Sequence, residues 1–365
     1  MPTSATGAPV RLDDLDHLLV TALQTAPRAD WRRIGAALGV DGSTAARRWA
    51  RLTGAGLAWL TCFPLHVGDQ TWLSAFVEVD CAPGRLHEVA AALVEDPNVF
   101  NLEHVTGGRD LLLTLVCRDQ AELARYVGFR LGRLPGVAAT RTQIATTLHA
   151  EGSRWRLDRL NEEQRRILLG DGPNRPAEPR PMRPGDLELA RVLAQDCRAS
   201  VAELAARTGL SPSTVRRRLA RMEADGGLAF RCEVARDLSG WPVAAYLWLS
   251  APAGEAARIV ALLAGLRETR LCASLTGADN LLVNVWLRSM DGIHAVEQAL
   301  VRRFPELRVT DRTVTLWPVK MAGQLLDPHG RWLRAVPVWL WDDPTTEAEL
   351  GALLGRLRTG TLPDA

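Results

Sequence analysis

The chain repeats itself at a constant offset of 170 residues, and that repeat constrains the fold more than any other feature. Leu38-Gly39-Val40-Asp41-Gly42-Ser43-Thr44-Ala45-Ala46-Arg47-Arg48-Trp49-Ala50-Arg51 aligns with Thr208-Gly209-Leu210-Ser211-Pro212-Ser213-Thr214-Val215-Arg216-Arg217-Arg218-Leu219-Ala220-Arg221. The register then holds without a gap. Thr106-Gly107 falls on Thr276-Gly277, Leu111-Leu112 on Leu281-Leu282, and Pro135 on Pro305. So long a register argues for duplication of a two-part unit, whose best-matched stretch reads as a helix-turn-helix.

Each copy carries the punctuation of three short helices. In the first, residues 12–25 place Leu12, Leu15, Leu18, Leu19, Ala22 and Leu23 on one face and stop near Pro27. Asp30 can cap a second helix, Gly39 is the turn, and a third helix runs from about Gly42 to Leu52. In the second, helix one spans Asp186 to Gln195, Ser200-Val201-Ala202-Glu203 is a capping box, and Gly209 is the turn. Ser211 caps helix three with Pro212 in its first position, where a missing N–H costs nothing. A strand-like stretch follows each triad, Leu57–Pro64 and Leu228–Val234. A β-α-β-β-α-β pattern comes next, with strands at 72–79, 98–105, 111–117 and 137–147, and at 243–249, 268–275, 281–287 and 307–317. Its helices fall at 85–95 and 120–134, and at 255–265 and 290–304. A sheet with helices on one face must have the other covered, and a second sheet packed face to face is the natural cover.

The expected fold class is therefore α+β: two winged or helix-turn-helix domains alternating with two ferredoxin-like (β-α-β-β-α-β) sensor domains. The expected boundaries are 10–60, 68–150, 185–234 and 240–322. Residues 156–184, with Pro173, Pro176, Pro179, Pro181 and Pro184, read as a stiff linker. Residues 327–365 have no counterpart in the repeat. Their Trp332, Trp339 and Trp341, with a short helix near 346–358, are expected to pack back on a domain or another chain.

A helix-turn-helix, a linking strand and a β-α-β-β-α-β domain with a T-G-x-x-D turn together resemble the Lrp/AsnC family, the leucine-responsive or feast/famine transcription regulators. The residues that carry the resemblance are Gly209 to Leu219, Thr106-Gly107-Gly108-Arg109-Asp110, and Leu134-Pro135-Gly136-Val137 with Thr140 and Thr142. It covers about 12–148 and 186–321. The resemblance implies a DNA-binding domain followed by a domain that dimerises and senses amino acids. Ordinary members carry one copy of each, and this chain looks like two fused.

Residue chemistry agrees with double-stranded DNA as partner. Net charge is only +2, so contacts must come from local arginine clusters. Ser43, Thr44, Ser213 and Thr214 sit at the helix end that reaches bases. Arg47 and Arg48, or Arg216 and Arg217, can grip guanine or a phosphate one turn on; Arg51, Arg218 and Arg221 are expected on phosphates. The first copy has Ala46 where the second has Arg216, and it starts with Gly42, a weaker helix former than the second copy's start, so the second should bind more tightly.

For the turn, the resemblance implies a place at the interface between sensor domains and a part in holding a free amino acid, through Thr106, Gly107, Gly108 and Asp110 and through Thr276, Gly277 and Asn280. Glycines let backbone N–H groups approach a carboxylate, and Asp110 can pair with an ammonium better than Asn280 can. A tight turn with structural work only is the competing reading. The assembly expected is an intrachain pseudo-dimer with further homo-oligomerisation.

Other classes find little support. The six cysteines form no C-x-x-C pair, His104 has no partner histidine nearby, and no metal site, cofactor or catalytic motif is signalled. Met1 to Pro9 lack the basic and apolar regions of a signal peptide, and no apolar run is long enough to cross a bilayer, so a cytoplasmic protein with no membrane partner is expected. A non-enzymatic regulator is the reading adopted. The alternatives are an architectural DNA binder without ligand sensing and, less favoured, an enzyme with a fused DNA-binding module.

Overall fold

The computed structural model describes residues 11–64, 66–67, 70–170, 180, 182–339 and 343–359. The chain opens with α1 (Asp14–Thr25), α2 (Trp31–Leu38) and α3 (Gly42–Gly54), then β1 (Ala58–Pro64). The paired strands β2 (His66–Val67) and β3 (Gln70–Thr71) lead to β4 (Leu73–Cys81), α4 (Leu86–Leu93), β5 (Val99–Val105) and β6 (Leu111–Cys117). After α5 (Gln120–Arg125) comes β7 (Val137–Ala150), then α6 (Glu162–Leu169). A second triad, α7 (Leu187–Gln195), α8 (Val201–Thr208) and α9 (Pro212–Ala224), precedes β8 (Leu228–Val234). Next come β9 (Val243–Ser250), α10 (Ala256–Gly265), β10 (Thr269–Leu275), β11 (Leu281–Leu287), α11 (Asp291–Arg303) and β12 (Arg308–Met321). The tail adds β13 (Gln324–Leu326), β14 (Trp332–Ala335) and α12 (Pro344–Thr359).

Both triads form as their capping residues direct. Asp30 and Asp41 accept from backbone N–H groups at the starts of α2 and α3, and Ser200 and Ser211 do so at α8 and α9. Gly39 and Gly209 end α2 and α8 at φ +69°, a conformation that costs a side-chain-bearing residue free energy. Gly42 has a use beyond helix starting: a Cβ there would lie 2.8 Å from the Trp31 carbonyl oxygen, so its absence lets α3 pack against α2. Each triad closes a small core, Leu19, Leu23, Ile34 and Leu52 in the first, Leu189, Leu193, Leu204 and Val215 in the second. Fully burying such a side chain contributes about 1.5–3 kcal/mol.

The strands after the triads are not wings. β1 and β8 pair with each other, antiparallel, from Ala58 opposite Val234 to Pro64 opposite Leu228. The expectation of a wing within each reader is corrected accordingly: a lone strand has a full set of unpaired backbone groups, and the other half supplies the partner.

The eight long strands close into a barrel-like ring, β5-β6-β4-β7-β10-β11-β9-β12 and back to β5. The two expected sheets do face each other, but they are also joined along both edges. The joints are the long strands. β7 pairs with β4 as far as Ile144 and with β10 from Ala145. β12 pairs with β9 as far as Val314 and with β5 from Thr315. Leu111, Leu113 and Leu115 of β6 face the α4–α5 side, whereas Leu112 points into the barrel with Phe76, Tyr246 and Trp248. Both faces of the strand are buried, which explains its largely apolar sequence, interrupted only by Thr114.

Other expectations need correction. The helix expected at 120–134 is α-helical only to Arg125 and continues as a wider π-turn, Tyr126–Leu131, that buries Tyr126 against Asp96, its hydroxyl donating at 2.7 Å. The stretch 156–184 is not all linker: Asn161 and Gln164 form a capping box on α6, and Leu157, Leu160 and Leu168 are buried in the first triad's core. The packed part, 157–169, contains no proline; Pro173, Pro176, Pro179 and Pro181 lie outside the described residues. The tail packs back as expected where it is described. The backbone N–H of Trp332 donates to Gly56 O at 2.8 Å and its indole to Gln324 at 2.8 Å, and the Trp339 N–H donates to Pro97 O at 3.0 Å. Trp341 lies outside the described residues. Five of the six cysteines are buried and all are free thiols. No helix among the described residues is long and apolar enough to cross a membrane.

Candidate functional site

On α3 and α9 the basic side chains divide into two groups. Arg47, Arg216 and Arg217 are exposed, as are Ser43 and Ser213, with Thr44 and Thr214 half-buried beside them. Arg48 and Arg51 instead point back to Asp16 of α1, which is buried: Arg48 lies 3.0 Å from one carboxylate oxygen and Arg51 2.6 Å from the other. Arg218 and Arg221 hold Asp186 in the same way, the first at 3.6 Å. Four arginines assigned to DNA by spacing therefore fasten the third helix to the first. Burying Asp16 and Asp186 without such partners would be costly.

The two triads are tied together reciprocally. Arg28 donates to Cys197 O and, at 3.3 Å, to Ala199 O; Arg198 donates to Pro27 O at 2.6 Å and Ala29 O at 2.8 Å. Arg28 also pairs with Glu223 at 3.2 Å, and Arg198 lies over the Trp31 ring. Across the ribbon, the Gln24 amide donates to Cys232 O at 3.0 Å. Contacts in which each half offers the other the same groups are those of a two-fold interface.

The turns of the expected amino-acid site lie at the barrel joints. The Thr106 N–H donates to Val314 O and the Val314 N–H to Thr106 Oγ1, both at 3.0 Å. Thr276 does the same with Ile144, at 2.9 and 3.0 Å. Asp110 accepts from the Cys81 N–H at 2.7 Å, and Asn280 accepts from the Ala251 N–H at 2.8 Å while donating to Ala251 O. Thr106 and Thr276 are engaged in closing the barrel, Asp110 and Asn280 in bonds within their own halves, and Gly107 and Gly108 are exposed. Arg109, the next residue, lies over Trp248 and pairs with Glu78 at 3.2 Å and with Asp311. His104 is half-buried, and burial together with His87 lowers its pKa. Among the described residues no group of three or more His, Cys, Asp or Glu could hold a metal ion.

Sequence reading missed a cavity of about 530 Å³ between the β1–β8 ribbon and one mouth of the barrel. All eight barrel strands contribute to it, and Trp59, Phe63, Phe100 and Tyr246 form much of its apolar wall. Arg231 lies over the Phe63 and Phe100 rings, 5.2 Å from each centroid, and pairs with Glu151 at 2.9 Å. Burial pushes the Glu151 carboxyl up, but Arg231 and Ser153 together outweigh it and hold it low. Arg270 pairs with Glu233 at 2.6 Å over the Trp286 ring. Glu103 accepts from the Tyr246 hydroxyl and, at 3.0 Å, from Thr315, while burial raises its pKa. No motif announces this site, because its residues come from segments far apart in the chain.

An AsnC-type helix-turn-helix domain profile matches residues 12–53 and again 185–223. An Lrp/AsnC ligand binding domain profile matches residues 74–154. An uncharacterized HTH-type transcriptional regulator of Pyrococcus abyssi is 28% identical over 146 residues, 39% of this chain and 91% of that protein. The HTH-type transcriptional regulator FL11 of Pyrococcus horikoshii is 27% identical over 145 residues, 39% of this chain and 94% of that protein. At the level of fold alone, a structure of the siroheme decarboxylase NirDL in co-complex with an iron-uroporphyrin III analogue is similar over 94% of this chain and 100% of that one, with a TM-score of 0.55 and 13% identity. Two matched reader triads and a matched ligand-binding domain place this chain in the Lrp/AsnC family, as a DNA-binding transcription regulator with a ligand-binding domain.

Proposed function

We propose that a single chain reads two DNA half-sites, as an intrachain pseudo-dimer built by tandem duplication of a reader and a ferredoxin-like sensor. The observation that carries this reading is the reciprocal clamp of Arg28 and Arg198, which holds the two triads in a two-fold relation without a second chain. The four strands of each half run in the order fourth-first-third-second, which supports the ferredoxin-like assignment. The domain limits follow at about 11–64, 73–150, 187–234 and 243–321. Half-sites about one helical turn apart suit such a pair. Contact falls to Ser43, Thr44 and Arg47 on α3, and to Ser213, Thr214, Arg216 and Arg217 on α9. Arg48, Arg51, Arg218 and Arg221 orient the helices and reach phosphates only at the edge of their ion pairs.

A small-molecule response completes the proposal. An amino acid at the turns would compete with the bonds of Asp110 and Asn280 within each half and of Thr106 and Thr276 across the joints, and through the latter loosen the barrel. Footprinting of genomic fragments with and without pooled amino acids tests both parts. Discrete protected half-sites whose spacing or affinity shifts on addition support the regulator. Protection that no amino acid alters supports an architectural binder, and no discrete protection contradicts the reading.

The central cavity favours one second reading, an enzyme on the same architecture. NirDL is by name a siroheme decarboxylase, and its chain has a similar fold end to end. Carbon dioxide release from a siroheme-type tetrapyrrole, surviving Arg47→Ala and Arg217→Ala together, would establish it; absence of turnover leaves the regulator.

A further inference from the structure

We infer that the cavity between the β1–β8 ribbon and the barrel mouth is a binding site for a carboxylate with a large apolar, ring-bearing body, distinct from the turns. Four residues that line it carry a buried N–H donor with no acceptor among the described residues: Arg231 Nε, Arg236 Nε, Trp59 Nε1 and Trp72 Nε1. Arg231 has only 7% of its side chain exposed, yet Glu151 engages just one edge of its guanidinium. Leaving a buried donor unpaired costs free energy, and four around one cavity call for an acceptor nearby.

Charge points the same way. The wall carries four arginines, Arg154, Arg231, Arg236 and Arg270, against two glutamates, Glu103 and Glu151. Counting Glu233, the partner of Arg270, the positive side still exceeds the negative by one. A planar guanidinium with free N–H groups suits a carboxylate.

The same wall disfavours a free amino acid. Both oxygens of Glu103 are engaged, by Tyr246 and Thr315, and both of Glu151 by Ser153 and Arg231. An ammonium would have to share those oxygens with their present donors. The volume, about 530 Å³, falls in the range of sites for drug-sized ligands, roughly 300–1,000 Å³. Phe63 and Phe100, in edge-to-face contact 4.9 Å apart, offer flat apolar surface. The ribbon that roofs the cavity also carries both reader triads, so an occupant is placed to act as effector. That regulatory role rests on the DNA-binding reading; binding itself does not.

The test uses pyrenebutyrate and its uncharged counterpart pyrenebutanol on the full chain, with energy transfer from tryptophan to pyrene as the readout. Pyrenebutyrate should bind about tenfold tighter or better. Arg236→Gln should weaken pyrenebutyrate by a similar factor and leave pyrenebutanol unchanged. Ala145→Trp, on the cavity wall, should exclude both, with a thermal melt confirming the fold. Equal binding of the two probes to the parent chain, or pyrenebutyrate binding indifferent to both substitutions, would overturn the inference. DNA binding measured without probe reports separately on the regulator reading.

Discussion

Arg47 and Arg48 are neighbours in sequence, yet only Arg48 is held in ion pairs among the described residues. Arg48 is taken by Asp13 and Asp16, whereas the guanidinium of Arg47 has the Thr44 hydroxyl at 3.4 Å and no carboxylate among the described residues. Arg217 and Arg218 divide in the same way around Asp186. Replacing Arg47 or Arg217 by Ala should therefore lower the slope of log affinity against log salt by roughly one, with the larger affinity loss at Arg217, whose helix also carries Arg216. Arg51→Ala and Arg221→Ala should instead show mainly as lowered melting temperature. Equal affinity losses from Arg47→Ala and Arg217→Ala would contradict the asymmetry. The basic stripe was legible in sequence, and its division was not. A signal did exist: Asp16 and Asp186 stand at the repeat offset, 32 residues before Arg48 and Arg218. Helical periodicity within one element gives no means of pairing residues on two.

At the level of elements, caps and turns were readable because their partners lie within four residues. Asp30, Ser200 and Ser211 form their expected bonds for that reason. The ribbon and the arginine clamp were not readable, since they join residues about 170 apart. Arg28→Ala and Arg198→Ala should each loosen the paired readers, and the double variant should lose less DNA affinity than the sum of the singles. Binding titrations of the three variants decide this; strict additivity would show that the clamps act separately. In β12, Lys320 is fully buried and donates to Val94 O at 2.9 Å and Asp96 O at 2.8 Å. Burial, opposed by Asp96 and Glu95, pushes its ammonium down to about 7 from an ordinary 10.5. The unfolded chain then binds more protons between those values. The penalty is full below about pH 7 and is relieved as pH rises through the window. Between about pH 7.5 and about pH 9 the parent should gain melting temperature relative to Lys320→Met; parallel curves would refute this assignment.

For the whole molecule, the β-α-β-β-α-β order was visible because strands with two buried faces leave apolar runs at regular spacing. Closure of the barrel was invisible: β7 and β12 read as single long strands, and only the register shows each one passing from its own sheet to the other. The central cavity is a product of that closure and of the ribbon above it. The joints also explain why Thr106 and Thr276, in a motif associated by resemblance with ligand, spend their polar groups on the opposite half. The central claim is that one chain carries two readers held as a two-fold pair. Hydroxyl-radical footprinting of a bound fragment, at a protein concentration where single chains bind, tests it most directly. The account predicts two protected patches about one helical turn apart, one lost in Arg47→Ala and the other in Arg216→Ala with Arg217→Ala. A single patch, or loss of the same patch in both variants, would contradict it.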